Sequence, residues 1–481
     1  MPILIIHTSG GDQRVSFDGE PLLYDLIAHL PDAPDRPCGV GSCGRCAVMA
    51  QGSFSAAPDE AGKVLACQAR VTGDAEIWLP RRSALTQIET RSLGADFPLA
   101  PLPGAYGAAV DLGTTTIVLQ LVRMADGEIL STVSCENPQR VIAADVIGRI
   151  DHAMHGRLNH LASLAREAID ALEREAFSRA GMPGRQADVR VIAGNTTMLY
   201  LYSGRDPRTL SAAPFEADCL FGHRSGRDLL PACAGAFVGA DITCALLDSG
   251  ICHRGETAML IDIGTNGEIA LRHNGKLYCC ATAAGPAFEG GGISCGVGSI
   301  RGAIDSAAVQ NGEITFTTIG NEPVSGICGS GLIALTAALL DTEQLDETGA
   351  LDDDILLAPE VILTQQDIRQ IQLAKGAIAA GIETLLHRAG ISCKDVGTLY
   401  IAGGFGSHID LAAASRIGLI PAELAKKAVV LGNASLSGAR QVLLRRSAWD
   451  EASRIAEMAD CLNLAADPHF SDAFIENMMF E

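Results

Sequence analysis

A chain of 481 residues is too long for one ordinary compact core, so two or three domains are expected. Apolar residues make up 48% and charged residues 19%, which excludes a disordered chain; 52 glycines with only 4% aromatics favour α/β architecture with many tight turns. The formal net charge of −21, with no Lys/Arg-rich run, argues against a nucleic-acid partner and reads either as solubility or as selection of a redox partner.

The opening Met1-Pro2-Ile3-Leu4-Ile5-Ile6 lacks the basic region of a signal peptide, and no stretch approaches about 18 apolar residues. A cytoplasmic protein without a membrane span is expected. Residues 3–7 and 14–17 read as strands around the turn Gly10-Gly11-Asp12. Residues 22–30 have the apolar spacing of an amphipathic helix, ended by Pro31 and Pro34. Next stands Cys38-Gly39-Val40-Gly41-Ser42-Cys43-Gly44-Arg45-Cys46, followed later by Cys67 and a strand over 75–79.

Fifteen cysteines in a cytoplasmic chain do not form a disulfide framework, and four of them fit a metal centre. The spacing C-x4-C-x2-C…C is that of plant-type [2Fe–2S] proteins, one-electron carriers with potentials of about −400 mV. A short loop delivers three thiolates only if its backbone wraps tightly, which Gly39, Gly41 and Gly44 permit, and their N–H groups then point at the sulfides. Zinc, the alternative, favours paired C-x2-C knuckles or histidines, and only one such pair is present. Cys38, Cys43, Cys46 and Cys67 are the candidate ligands. The order hairpin, helix, cysteine loop, strand matches a β-grasp ferredoxin domain over 1–80.

Residues 81–104 show no sustained period and contain Pro98, Pro101 and Pro103, which reads as a semi-stiff linker. One pattern then occurs twice. Strand, D-x-G-T turn and strand run through Asp111-Leu112-Gly113-Thr114-Thr115, and again through Asp262-Ile263-Gly264-Thr265-Asn266. Each copy is followed by a further turn and strand, so two related lobes are expected. In such a turn the Asp can hold Mg2+ through water, the glycine lets backbone N–H groups reach phosphate oxygens, and the threonines add hydroxyl donors. Asp111 and Asp262 are therefore candidate catalytic carboxylates; Gly113, Thr114, Thr115, Gly264, Thr265 and Asn266 are candidate nucleotide contacts. Glycine turns at Gly329, before an apolar helix, and at Gly403, Gly404 and Gly406, after a strand, suit a base and ribose or simple packing.

The two D-x-G-T turns and the late Ala402-Gly403-Gly404-Phe405-Gly406 resemble the sugar kinase/hsp70/actin superfamily. With the cysteine module in front, the chain resembles the RamA-like ATP-dependent reductive activators of corrinoid proteins. Further phrases carry the match: Asn137-Pro138-Gln139, Ala144-Asp145-Val146-Ile147-Gly148-Arg149-Ile150, Ala193-Gly194-Asn195-Thr196-Thr197-Met198, Gly285-Pro286-Ala287-Phe288-Glu289-Gly290 and Leu431-Gly432-Asn433-Ala434-Ser435. Several members carry an extra linker and middle domain, for which the segment before the repeats is too short. The chain also lacks the C-x2-C-x2-C…C run of [4Fe–4S] relatives.

The resemblance implies a two-lobed, ribonuclease H-like ATPase domain over 105–481, with lobes over about 105–255 and 256–425 and C-terminal helices over 426–481. It implies that ATP, Mg2+ and a [2Fe–2S] cluster serve to return an electron to Co(II), restoring Co(I) in a corrinoid protein or methyltransferase. A low-potential electron donor and a homodimer are further expectations. Glu268 and Glu289 are candidates for positioning water, or else a solvated strand end and a helix-start carboxylate. Asn195 is a cleft-facing turn residue or a helix cap. Rival readings are an electron donor to another low-potential metalloenzyme, a redox-sensing regulatory ATPase and a small-molecule kinase.

Overall fold

Alternating apolar residues build the first sheet. In the computed structural model, which describes residues 2–8, 11–28, 30, 34, 46–59, 62–79, 97–213, 215–403 and 409–480, the chain forms two units, Met1–Ala84 and Leu85–Glu481. The first unit holds β1 (Ile3–Thr8), β2 (Gly11–Ser16), α1 (Leu23–Ile27), β3 (Ala47–Phe54), β4 (Lys63–Leu65) and β5 (Val71–Trp78). Its sheet order is β2-β1-β5-β3-β4, with β1 parallel to β5 and the other pairs antiparallel. Leu4 and Ile6, two apart on β1, meet Leu23 and Ile27, one helical turn apart on α1, in a core shared with Val48 and Ile77. The helix is shorter than the stretch read from sequence, and β3 and β4 had no clear periodic signal. Cys38, Cys43, Gly404 and Gly406 lie outside the described residues.

In the second unit the duplicated pattern becomes two similar sheets. The first lobe contains β6 (Tyr106–Leu112), β7 (Thr116–Arg123), β8 (Ile129–Glu136), α2 (Val146–His152), α3 (Leu158–Arg179), β9 (Val189–Ala193), α4 (Thr196–Ser203), β10 (His223–Ser225), β11 (Asp228–Leu230) and α5 (Ala240–Ser249). Its sheet runs β10-β11-β9-β6-β7-β8. The second lobe begins with β12 (Ala258–Ile263), β13 (Gly267–His273) and β14 (Lys276–Thr282). A subsidiary sheet and hairpin follow: β15 (Ala303–Gln310), β16 (Glu313–Thr318), β17 (Gly326–Ile327), α6 (Gly329–Asp341), β18 (Ile355–Ala358) and β19 (Val361–Leu363). The chain ends with α7 (Gln365–Ala389), β20 (Thr398–Ala402), α8 (Leu411–Arg416), α9 (Ala422–Ala425), β21 (Ala428–Gly432), α10 (Ala434–Leu444), α11 (Arg446–Met458), β22 (Ala459–Cys461) and α12 (Pro468–Glu476).

The second main sheet runs β21-β20-β12-β13-β14-β22. In both lobes an antiparallel meander of three strands (β6-β7-β8, β12-β13-β14) continues through a strand parallel to its first member, β9 or β20. The strands are apolar on both faces, as sheets covered on two sides must be. Residue parity assigns the faces. Val110, Leu112 and Leu119 turn outward onto α3 and α4, whereas Ala109, Val118 and Val122 turn inward. In the second lobe Met259, Ile261 and Ile263 face α6 and α7, while Ala258 and Leu260 share the inner core.

That inner layer consists of α5 and α10, which cross so closely that a Cβ on Gly438 would lie 2.0 Å from the Cys244 carbonyl oxygen. Although α10 follows β21 of the second sheet, it packs against β6 and β9 of the first. Residues 97–104 fall in the stretch read as a linker, yet they are fastened here: the Ala100 and Leu102 N–H groups donate to Leu444 and Leu443, and Phe97 and Leu102 pack on the inner core. Among the described residues no helix is long and apolar enough to cross a membrane.

Candidate functional site

Each D-x-G-T aspartate is the next-to-last residue of its lobe's first strand, β6 or β12, on the face that looks into the inner layer. The α5 and α10 N-termini end at the same place. Asp111 is gripped by α10: its carboxylate accepts from Asn433 Nδ2 at 2.8 Å and Ser435 Oγ at 2.9 Å. Burial raises the Asp111 pKa, and these two hydrogen bonds oppose the rise. Asn433 also caps α10 through the Leu436 N–H, so one side chain fixes both the helix and the carboxylate.

Asp262 stands directly opposite Glu268 in the β12–β13 register. Like charges in that position repel. Burial, then Asp241, Asp111 and Glu289, push Asp262 up to about 8. Burial and the charges of Asp241 and Asp262 likewise raise Glu268, opposed by a hydrogen bond from Asn266. Glu268 is buried and is no solvated strand end. Gly403 follows β20 in the left-handed region (φ +97°), and a Cβ there would lie 2.6 Å from Asp262 Oδ1. Glycine is thus required at this position to admit the aspartate.

Sequence reasoning missed Asp241. It lies in the first turn of α5, where the Asp241 N–H and that of Ala240 donate to the Gly194 carbonyl. Burial is the main cause that raises it to about 7, and Asp111 adds to it. The available signal was an acid opening an apolar helix directly after glycine, in Val238-Gly239-Ala240-Asp241. Asn433, Ser435 and Arg149 lay inside recognised phrases but had been given no role.

The two turns meet. Thr115 Oγ1 and Thr265 Oγ1 are 3.2 Å apart, and each donates to Glu289 Oε2 at 2.6 Å. The Gly113 and Gly264 N–H groups close their own turns, on the Thr116 and Asn266 carbonyls. These two N–H groups are therefore engaged within the turns. Gly113 is needed for that closure, since a Cβ would stand 2.6 Å from Thr116 O; at Gly264 a Cβ would make only ordinary contacts, with Glu289 Oε1 at 3.5 Å and Asn266 O at 3.7 Å. Glu289 ends a short 3-10 turn (Ala287–Glu289) anchored by buried Phe288, and starts no helix.

A buried frame holds the first turn. Asn137 Nδ2 donates to the Gly113 carbonyl at 2.8 Å. Arg149, fully buried, donates to the Thr114 carbonyl at 2.6 Å, to Ala143 O at 3.0 Å and to Gln139 Oε1 at 3.1 Å. Burial and nearby Arg140 pull its pKa down to about 9, so it stays charged at neutral pH. Asn195 caps α4 through the Met198 N–H, and it also donates to Thr114 Oγ1 at 3.2 Å. Gly329 opens α6, which packs beside the Ala287–Glu289 turn; in that motif Gly331 has the tightest approach, because a Cβ would meet Ile304 O at 2.0 Å.

In the first unit, Cys46 precedes β3 and Cys67 follows β4. The pairing Ala47↔Leu65 brings both thiols, buried and not disulfide-bonded, to one end of the sheet. Among the described residues no three metal-ligating side chains are gathered into a ready site.

Two family models match the chain: the RACo middle region over residues 106–254 and the C-terminal domain of RACo, the ASKHA domain, over 256–481. The middle region, expected to be missing, is thus present and coincides with the first lobe. The corrinoid activation enzyme RamQ of Eubacterium limosum is 28% identical over 586 residues, covering 98% of each chain. The Co(II) methylated amine-specific corrinoid protein reductase of Methanosarcina barkeri is 28% identical over 417 residues, covering 77% of this chain and 76% of the relative. A solved reductive activator for corrinoid, iron–sulfur protein superposes with a TM-score of 0.74 and 26% identity, over 100% of this chain and 98% of the other.

Proposed function

We infer that this chain, a homologue of the reductive activators of corrinoid proteins, is itself an ATP-dependent reductive activator that returns a corrinoid cobalt from Co(II) to Co(I). The observation that carries the ATP part is the meeting of the two D-x-G-T turns at Thr115 and Thr265, with half-buried carboxylates behind them. The turn hydroxyls bind and orient the terminal phosphates. The carboxylates crowd with their charge unbalanced, a donor set that suits a hydrated divalent cation held by one or two of them, Asp111 and Asp262. When bound, Mg2+ neutralises phosphate charge. Asp241, with a pKa near neutral, can accept a proton from the attacking water.

The five-stranded sheet and its helix have the β-grasp order, and buried Cys46 and Cys67 at one sheet end suit a cluster completed by Cys38 and Cys43. A [2Fe–2S] cluster there would supply a one-electron carrier fed by a low-potential donor. Resting Co(II) is harder to reduce than such a carrier, so nucleotide must favour an altered state of the corrinoid partner by binding one arrangement of the lobes better than another. The residues that distinguish the arrangements are those joining the lobes: Thr115, Thr265, Glu289, Asn433 and Ser435.

The test is anaerobic mixing of the reduced protein with a Co(II) corrinoid methyltransferase subunit, following Co(I) absorbance with and without Mg-ATP. Co(I) should form only with Mg-ATP and should vanish in Cys67→Ser and in Asp262→Asn. A reducible cluster and steady ATP hydrolysis without any Co(I) would overturn the corrinoid reading.

A further inference from the structure

The Glu289 carboxylate has a strange position for a catalytic group: it occupies the phosphate cradle. One oxygen, Oε2, accepts hydrogen bonds from the hydroxyls of Thr115 and Thr265, one from each lobe, at 2.6 Å apiece. The other, Oε1, is the nearest atom to the space that Gly264 leaves by lacking a side chain. An anion therefore sits on the donors that a phosphate needs. We propose that Glu289 is a resident anion standing where the terminal phosphates of ATP bind, and that phosphate must displace it, so that Glu289 couples the nucleotide's phosphate tail to the contact between the lobes. The inference rests on the ATP reading above and deepens it.

The surroundings favour displacement of the side chain alone. Phe288 is buried in the second lobe's outer core and α6 and α7 pack on the turn, so the backbone stays in place. Glu289 itself is only partly buried and its carboxylate can rotate to water. The strap is charge-assisted, which makes its two hydrogen bonds stronger than neutral ones. In the absence of nucleotide it ties one turn to the other. With phosphate bound, the hydroxyls change partner and Glu289 lets go. A ligand without terminal phosphates leaves the strap intact.

The experiment is calorimetric titration of the full-length protein, wild type, Glu289→Ala and Glu289→Gln, with a non-hydrolysable ATP analogue plus Mg2+ and separately with AMP. Melting curves confirm folding, and the isosteric Gln variant remains informative should Ala disturb the turn. Removing the competing anion should tighten analogue binding roughly tenfold or more and leave AMP binding unchanged. Unchanged or weaker analogue binding, the pattern of a water-positioning or purely structural residue, would overturn the proposal while leaving the ATP reading standing. No analogue binding by any of the three proteins would overturn the ATP reading and this proposal with it.

Discussion

The hydroxyls of Thr115 and Thr265 stand 3.2 Å apart although 150 residues separate them in sequence. The contact follows from the duplication. Each threonine follows its lobe's first strand, and the strand faces carrying Asp111 and Asp262 are turned toward each other across α5 and α10. Two equivalent turns thus converge on one cleft.

Gly264 and Gly403 should respond differently to alanine. At Gly264 the added methyl group meets Glu289 Oε1 at 3.5 Å and Asn266 O at 3.7 Å, both ordinary contacts, so Gly264→Ala should fold normally and lose ATP affinity by filling the phosphate space. At Gly403 it collides with Asp262 Oδ1 in a left-handed backbone. Gly403→Ala should therefore cost about 1–3 kcal/mol of stability as well as activity. Denaturant midpoints and ATP titrations on both variants separate the two effects.

Asp241→Asn keeps the α5 first turn and removes the proton acceptor. ATP hydrolysis should fall roughly 10²- to 10⁴-fold in kcat with little change in KM. Asn433→Ala should also weaken stability, by about 1.5–3 kcal/mol, because it strips a hydrogen bond from the half-buried Asp111 carboxylate. Steady-state hydrolysis and chemical denaturation are the measurements.

Asp241 and Asp262, at about 7 and 8, hold protons in the folded state that the unfolded chain releases near 3.8. Native protein therefore binds more protons between about pH 4 and 8, and their contribution to stability, complete below the unfolded value, is lost as pH rises through 7 and 8. In EDTA the melting temperature should fall over that range. The fall should shrink in Asp262→Asn, which does not titrate, and in Mg2+, which neutralises the ionised forms. Scanning fluorimetry across pH reads all three.

Arg149 donates to carbonyls and to Gln139, and among the described residues no carboxylate is bound to it, so Arg149→Met leaves buried acceptors unmatched. A loss of about 2–4 kcal/mol is expected, together with weaker ATP binding as the Thr114 carbonyl loses its anchor. A normal denaturation midpoint would show that water replaces the guanidinium.

What the sequence revealed was local. The D-x-G-T hairpins announce themselves because turn and flanking strands are contiguous, and the Asn195 cap needs only Met198, three residues on. Asp241, Arg149 and the Asn433–Ser435 pair were invisible in that sense. Their meaning depends on which distant strand end they meet, and 322 residues separate Asn433 from Asp111. That Gly331 is the glycine of its motif pressed against Ile304 was equally hidden, because the approach is a tertiary fact. The fixing of residues 97–104 depends on Leu443 and Leu444 in the same way.

The place of α10 has a consequence for biogenesis. During translation the inward face of the first sheet, with Ala109, Val118 and Val122, emerges long before the helix that covers it. At ribosomal speeds the delay between Asp111 and Asn433 is roughly 15–60 s. Only α5 can cover part of that apolar face in the meantime, and the rest stays open until α10 has been made.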